Sequence, residues 1–151
     1  MDEPDAGASG VRAADHPLAP AKYVALTTFH RTGAPVTTPV WFAPSLDEPG
    51  LFAVITVDGT GKTKRLAHTE DVELQACDLR GRVERGSATY RGTARVVRDA
   101  GGIASVRRAV VAKYGFPARF SDLSDSLGSK VGLKRKPRAG ILVAVEPTGT
   151  G

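Results

Sequence analysis

From Lys22 onward, apolar and polar residues alternate with the period of an extended chain. Lys22 to Arg31 (KYVALTTFHR) is rich in β-branched and aromatic residues and ends at Thr32-Gly33, a hairpin turn signal. Val36 to Ala43 (VTTPVWFA) resumes the strand pattern. Pro39 inside it predicts an edge position or a bulge, because proline gives a ladder no N–H donor. After a loop with Pro44, Pro49 and Gly50 comes Leu51 to Val57 (LFAVITV), an almost unbroken apolar run expected to be buried on both faces. Asp58-Gly59-Thr60-Gly61 breaks it, and Lys62 to Thr69 (KTKRLAHT) reads as a short helix. Val72 to Leu79 and Ser87 to Arg98 are two further strands. In the second, Ala88, Tyr90, Ala94 and Val96 fall on one face and Thr89, Arg91, Thr93 and Arg95 on the other.

The period then changes. Ile103, Val106, Val110 and Tyr114 recur at helical spacing, with Gly115 as the stop. Phe116, Phe120, Leu123 and Leu127 predict a second short helix before Gly128. A basic loop, Lys130 to Arg138, leads into a last strand, Ala139 to Glu146. The sum is a mainly β, α+β chain of about six antiparallel strands. A short helix follows the third strand, and a helical insertion precedes the last. Successive antiparallel strands that must hide their edges predict a closed or partly closed barrel. Residues 1–17, rich in Ala, Gly, Asp and Pro without periodicity, read as a disordered tail, and residues 18–151 as one domain.

Composition narrows the function. The 151 residues carry a net charge of +5, and the first 17 hold four acids against one base, so the remainder stands at +8. That surplus favours an anionic partner. No apolar run reaches the roughly 18 residues of a spanning helix, and the N-terminus lacks signal-peptide character, so no membrane partner and a cytoplasmic location are expected. Cys77 is the only cysteine, which excludes an intramolecular disulfide. His16, His30 and His68 show no metal-ligand spacing, so no metal site is expected. His68 reads as a helix C-terminal cap and Tyr114 as packing. No nucleophile or paired-carboxylate constellation can be assembled, and no catalytic residue is assigned. A nucleic-acid partner is disfavoured, because single-strand binders use several exposed aromatics and only 6% of this chain is aromatic.

Two stretches carry chemistry. Thr56 to Leu66 (TVDGTGKTKRL) runs from a buried strand through a Gly-containing turn to a helix start with Lys62, Lys64 and Arg65. Backbone amides, the Thr60 hydroxyl and clustered cations there make an anion pocket, although a solvated basic helix face would use the same residues. The Walker spacing is absent. The other stretch is Thr38-Pro39-Val40-Trp41. A proline there frees backbone groups to meet the polar edge of a flat ring, while a core tryptophan on an irregular edge strand is the plainer reading.

The runs TPVWFA, LFAVITVDGTGKTKRLAHTEDVELQACDLRGRV and GTARVV resemble the pyridoxamine 5'-phosphate oxidase-like split β-barrel family. Within it they look most like the actinobacterial branch that uses the deazaflavin coenzyme F420. The resemblance covers about residues 20 to 98. It implies an FMN-binding-like split barrel and a homodimer with cofactor sites at the subunit interface. It also implies an F420-dependent oxidoreductase that moves a hydride between the deazaflavin ring and an unsaturated small-molecule substrate. By this resemblance Thr38, Pro39, Val40 and Trp41 line the ring, and Thr56, Val57 and Thr60 sit near the ribityl chain and phosphate. Lys62 holds the phosphate, and Lys64 and Arg65 the anionic tail. The alternatives are an FMN-binding oxidoreductase of the same fold and a non-catalytic cofactor- or haem-binding protein.

Overall fold

The computed structural model describes residues 12–57, 61–83, 85–115 and 138–149. The first hairpin joins β1 (Tyr23–Phe29) to β2 (Pro35–Val40) in antiparallel register, with Val24 opposite Val40, Leu26 opposite Thr38 and Thr28 opposite Val36. Its turn depends on Gly33, whose φ of 93° lies where residues with a Cβ are strained. β3 (Phe42–Pro44) pairs with β4 (Phe52–Val57), and α1 (Gly61–Leu66) leads to β5 (Asp71–Cys77). β6 (Tyr90–Val97), α2 (Ala100–Tyr114) and β7 (Arg138–Val145) follow. All pairings are antiparallel, in the order β2-β1-β5-β6-β7-β4-β3. The result is a seven-stranded sheet curled into a half-barrel, with two helices among the described residues.

Two expectations change here. The run Val36 to Ala43 is two strands, which brings the strand number to seven rather than about six. It divides at Trp41: Val40 still pairs with β1, while Phe42 already pairs with β4. One bent run therefore supplies both edges of the sheet, and Pro39 falls on an edge strand as its missing N–H requires. The tail is the other change. Instead of remaining unstructured to residue 17, the chain from Arg12 packs on the barrel through a 3-10 turn at Ala13–Asp15. Ala13, His16 and Leu18 are buried there, and the Ala13 N–H donates to the Pro49 carbonyl at 2.7 Å. Three buried residues without a repeat leave no periodic trace. The second helix expected over Phe116 to Leu127 and the basic loop up to residue 137 lie outside the described residues.

Alternation sorts the side chains onto two faces. Inside the curl, Val24, Leu26, Phe42, Phe52, Leu74 and Ile141 are fully buried in one cluster. Each such side chain contributes about 1.5–3 kcal/mol. On the outer face α2 lays Val106, Ala109 and Val110 against Ala43, Ala53, Val97, Leu142 and Trp41. Asp99 caps α2 by accepting from the Gly102 N–H at 2.8 Å, and Gly115, at φ 96°, ends it. Gly140 on β7 is where this helix comes closest: a Cβ there would sit 2.7 Å from Val106 Cγ2 and 2.8 Å from Val97 Cγ2. Among the described residues no helix is long and apolar enough to cross a membrane.

Candidate functional site

α1 follows β4 at one end of the barrel, packs against β1 and β6, and turns Thr63 and Leu66 into the interior. The spacing of three that buries those two residues also sets Lys62 and Arg65 on a neighbouring face. Arg65 Nε donates to the hydroxyl of Thr28 on β1 at 2.5 Å, and Thr28 is fully buried. The guanidinium lies tight against Gly61, in the space a Cβ would need. Burial, and then the adjacent Arg65 charge, push the half-buried Lys62 ammonium below its ordinary value. Burial likewise lowers Arg65. Among the described residues the ion-pair carboxylates go to Arg82, Arg95 and Arg108, and none lies within ion-pair distance of Lys62 or Arg65. Two partly desolvated cations held together without a counter-charge among the described residues favour an anion between them.

The strand register brings a further group to this face. Residues opposite one another in a sheet point the same way, so Val36, Thr38 and Val40 share the inner face with Thr28, Leu26 and Val24. Thr38 Oγ1 is enclosed there with no hydrogen-bond partner among the described residues. A buried hydroxyl without a partner is uncommon and suits a ligand polar group. Thr56, half-buried, extends the inner row of Phe52 and Val54 toward the same end of the barrel.

The other expected residues part company with this group. Val40 is buried in the inner core and Pro39 is exposed on the opposite face, its ring beside Gly81. Trp41 is 8% exposed and belongs to the α2 cluster, its ring 4.6 Å from Tyr114 and 6.3 Å from Tyr23. Val57 pairs with Arg138 through the backbone, and Thr60 lies outside the described residues. Lys64 is exposed, one residue out of phase with Lys62 and Arg65. Thr28 is the group sequence reasoning passed over. The alternation of β1, which buries Val24 and Leu26, would have put it inside as well.

Neighbouring chemistry is quiet. The His68 ring accepts from the Arg31 guanidinium at 3.2 Å rather than capping α1. Gln75 donates to the Ser87 carbonyl, and burial, then the Asp78 carboxylate, push the Cys77 thiol up. Tyr114 is structural: its hydroxyl accepts from the Phe42 N–H at 3.1 Å and lies 2.6 Å from the Lys22 carbonyl. Among the described residues no three His, Cys, Asp or Glu side chains form a metal site. A cleft of about 600 Å³ opens on the outer face beside Arg31, His68, Glu73 and Arg91. It contains none of the expected site residues, and its lining mixes both charges. Lys62 and Arg65, which no described carboxylate pairs, are the stronger indication of an anion site.

A family model for pyridoxamine 5'-phosphate oxidase matches residues 12–145. The chain belongs to this family. Solved relatives share the oxidase-family fold at low identity. The F420 reductase is 17% identical, with a TM-score of 0.54 over 91% of this chain and 94% of that one. The haem storage protein HutZ of Vibrio cholerae is 16% identical, with a TM-score of 0.54 over 85% and 83%. The conserved hypothetical protein Rv2991 of Mycobacterium tuberculosis is 17% identical, with a TM-score of 0.55 over 82% and 72%. No curated protein matches the chain by sequence. At these identities the neighbours establish the oxidase-family fold, and their printed functions differ among themselves.

Proposed function

We propose that this chain is an F420-dependent oxidoreductase that works on an unsaturated small molecule. The observation that carries the reading is the Lys62–Arg65 pair, two neighbouring cations that burial weakens and no described carboxylate answers. A phosphate between them relieves their repulsion, and Arg65 is already oriented by Thr28. Thr38 Oγ1 supplies a hydrogen bond to a polar group of the cofactor, and the backbone of Thr38 to Trp41 borders its ring. Thr56 flanks the linker between ring and phosphate. Lys64, exposed on the next face of α1, is available to an anionic tail beyond the phosphate. When bound, the deazaflavin supplies the hydride chemistry. The protein fixes the phosphate, orients the ring edge and keeps the inner face dry. We also propose that the chain acts as a homodimer with its sites at the interface.

FMN is the second reading, since it brings the same phosphate but no tail. Titration of the purified protein with oxidised F420 and with FMN, followed by fluorescence, separates the two. Micromolar binding of F420 with much weaker FMN binding is expected. Lys62→Ala should then weaken F420 binding by about 1.5–3 kcal/mol, roughly ten- to a hundred-fold in Kd. An unchanged Kd in that variant refutes the assignment of Lys62, and FMN preference transfers the protein to the second reading.

A further inference from the structure

At the end of the barrel opposite α1 the mouth is closed by the N-terminal arm, residues 12–21, and His16 is its fastening. The His16 ring is 3% exposed and lies edge-on to Tyr90 at 4.6 Å and Phe52 at 5.8 Å. Its Nδ1 accepts from the Leu18 N–H at 3.0 Å, and its Nε2 lies 2.9 Å from the Glu146 carbonyl oxygen. A carbonyl only accepts and a backbone N–H only donates, so the two partners fix the tautomer: the proton is on Nε2 and Nδ1 is bare. Besides His16, the arm is held by Ala13 and Leu18, whose side chains are buried in the inner core cluster. The Ala13 N–H donates to the Pro49 carbonyl, and the Ala21 carbonyl accepts from Lys113 Nζ at 2.7 Å.

We propose that His16 is a proton-operated latch, whose protonation at Nδ1 detaches the arm and uncovers the barrel mouth at Phe52 and Tyr90. A second ring proton would confront the Leu18 N–H with another donor, leaving two buried donors and no acceptor between them. Among the described residues no carboxylate lies within ion-pair distance of the ring. Arg12 and Asp15 on the arm itself are exposed. Glu48, ahead of β4, is turned to Arg95, and Glu146, after β7, meets the ring through its backbone carbonyl alone. From β6 comes the uncharged Tyr90 ring and from β4 the Phe52 ring. The Glu146 carbonyl accepts from either form of the ring, but the Leu18 N–H is accommodated only by a bare Nδ1, so it is this fastening that a second ring proton breaks.

The test is hydrogen exchange of the full chain at pH 7.5 and pH 5.0, expressed as protection factors to remove the intrinsic pH dependence. The Leu18 amide should lose at least tenfold in protection at pH 5.0, while Leu26 and Val143 in the sheet keep theirs. His16→Gln supplies an accepting oxygen to the Leu18 N–H and a donating nitrogen to the Glu146 carbonyl, and it does not titrate. It should hold the arm closed at both pH values, whereas His16→Ala should leave it open at both. Acid loss of Leu18 protection in His16→Gln equal to that of the wild type overturns the latch, as does loss across the sheet at the same time. Nitrogen shifts of the His16 ring in the wild-type protein give an answer independent of the variants. The second proton should arrive together with the loss of Leu18 protection, and a ring that becomes doubly protonated beneath a protected Leu18 refutes the proposal.

Discussion

Replacing Gly140 by alanine tests how α2 is seated on the sheet. The new Cβ would stand 2.7 Å from Val106 Cγ2 and 2.8 Å from Val97 Cγ2, against an optimum near 3.5–4.0 Å for carbon atoms. Both neighbours are β-branched and stiff at χ1, and Val106 is 1% exposed, so the overlap is relieved chiefly by moving the helix. Overpacking of this kind costs about 1–3 kcal/mol. The smaller conformational entropy of the unfolded alanine chain returns about 0.4–1 kcal/mol. A net loss of about 1–2 kcal/mol is expected for Gly140→Ala. Val106→Ala removes two buried methyl groups and leaves a small cavity, for a loss of about 2–3 kcal/mol. In the double variant the new methyl occupies part of that cavity. The combined loss should therefore fall short of the sum by about 1 kcal/mol, with the remainder of the clash due to Val97. Urea unfolding read as the midpoint at constant m gives all three values. Losses that add to within about 0.5 kcal/mol would refute this account of the helix–sheet contact.

Two further outcomes follow from the end of α2. Tyr114→Phe strands the Phe42 N–H and should cost about 1–3 kcal/mol. Alkaline absorbance should meanwhile lose a phenol that burial pushes up to about 12. Burial also lowers Lys113 to about 8, against about 10.4 in an unfolded chain. Between those values the unfolded state binds more protons, so this group makes the fold more stable as pH rises through the window. The Tm of the wild type relative to Lys113→Met should accordingly improve from pH 7.5 to pH 10, and a flat difference would contradict the lowered value.

The strands were legible because half-buried sheets alternate: β1, β5 and β6 show it directly, Gly33 marks the turn after β1, and Gly115 marks the stop of α2. Pro39 announced an edge because its missing donor is a local property. The division at Trp41 was hidden, since the apolar run continues through it and only the change of partner from β1 to β4 reveals the bend. The packed arm was hidden for a related reason. His16 finds its partners at Leu18 and at Glu146, and the second is remote in sequence. Of the candidate site, the cations of α1 were visible as composition. Their division into a converging pair, Lys62 and Arg65, and an exposed Lys64 required the helix phase. Thr38 and Thr28 meet on one face only through the register of the first hairpin.

α1 joins β4 to β5, two strands that are not neighbours in the sheet. β4 rests on β7, the last of the described strands in chain order, and β5 rests on β1, the first of them. Lys62 and Arg65 thus ride on a crossover whose two ends are anchored by the most widely separated pairings in the chain. Such closures come slowly, because loop entropy must be spent before the contacts reward it. Arg65 reaches Thr28 from the β1–β5 side, while β4, which leads into the helix, is secured only when β7 has joined it. An anion bound beside this helix would favour the finished barrel over partial ones, adding its binding energy to the stability of the whole molecule.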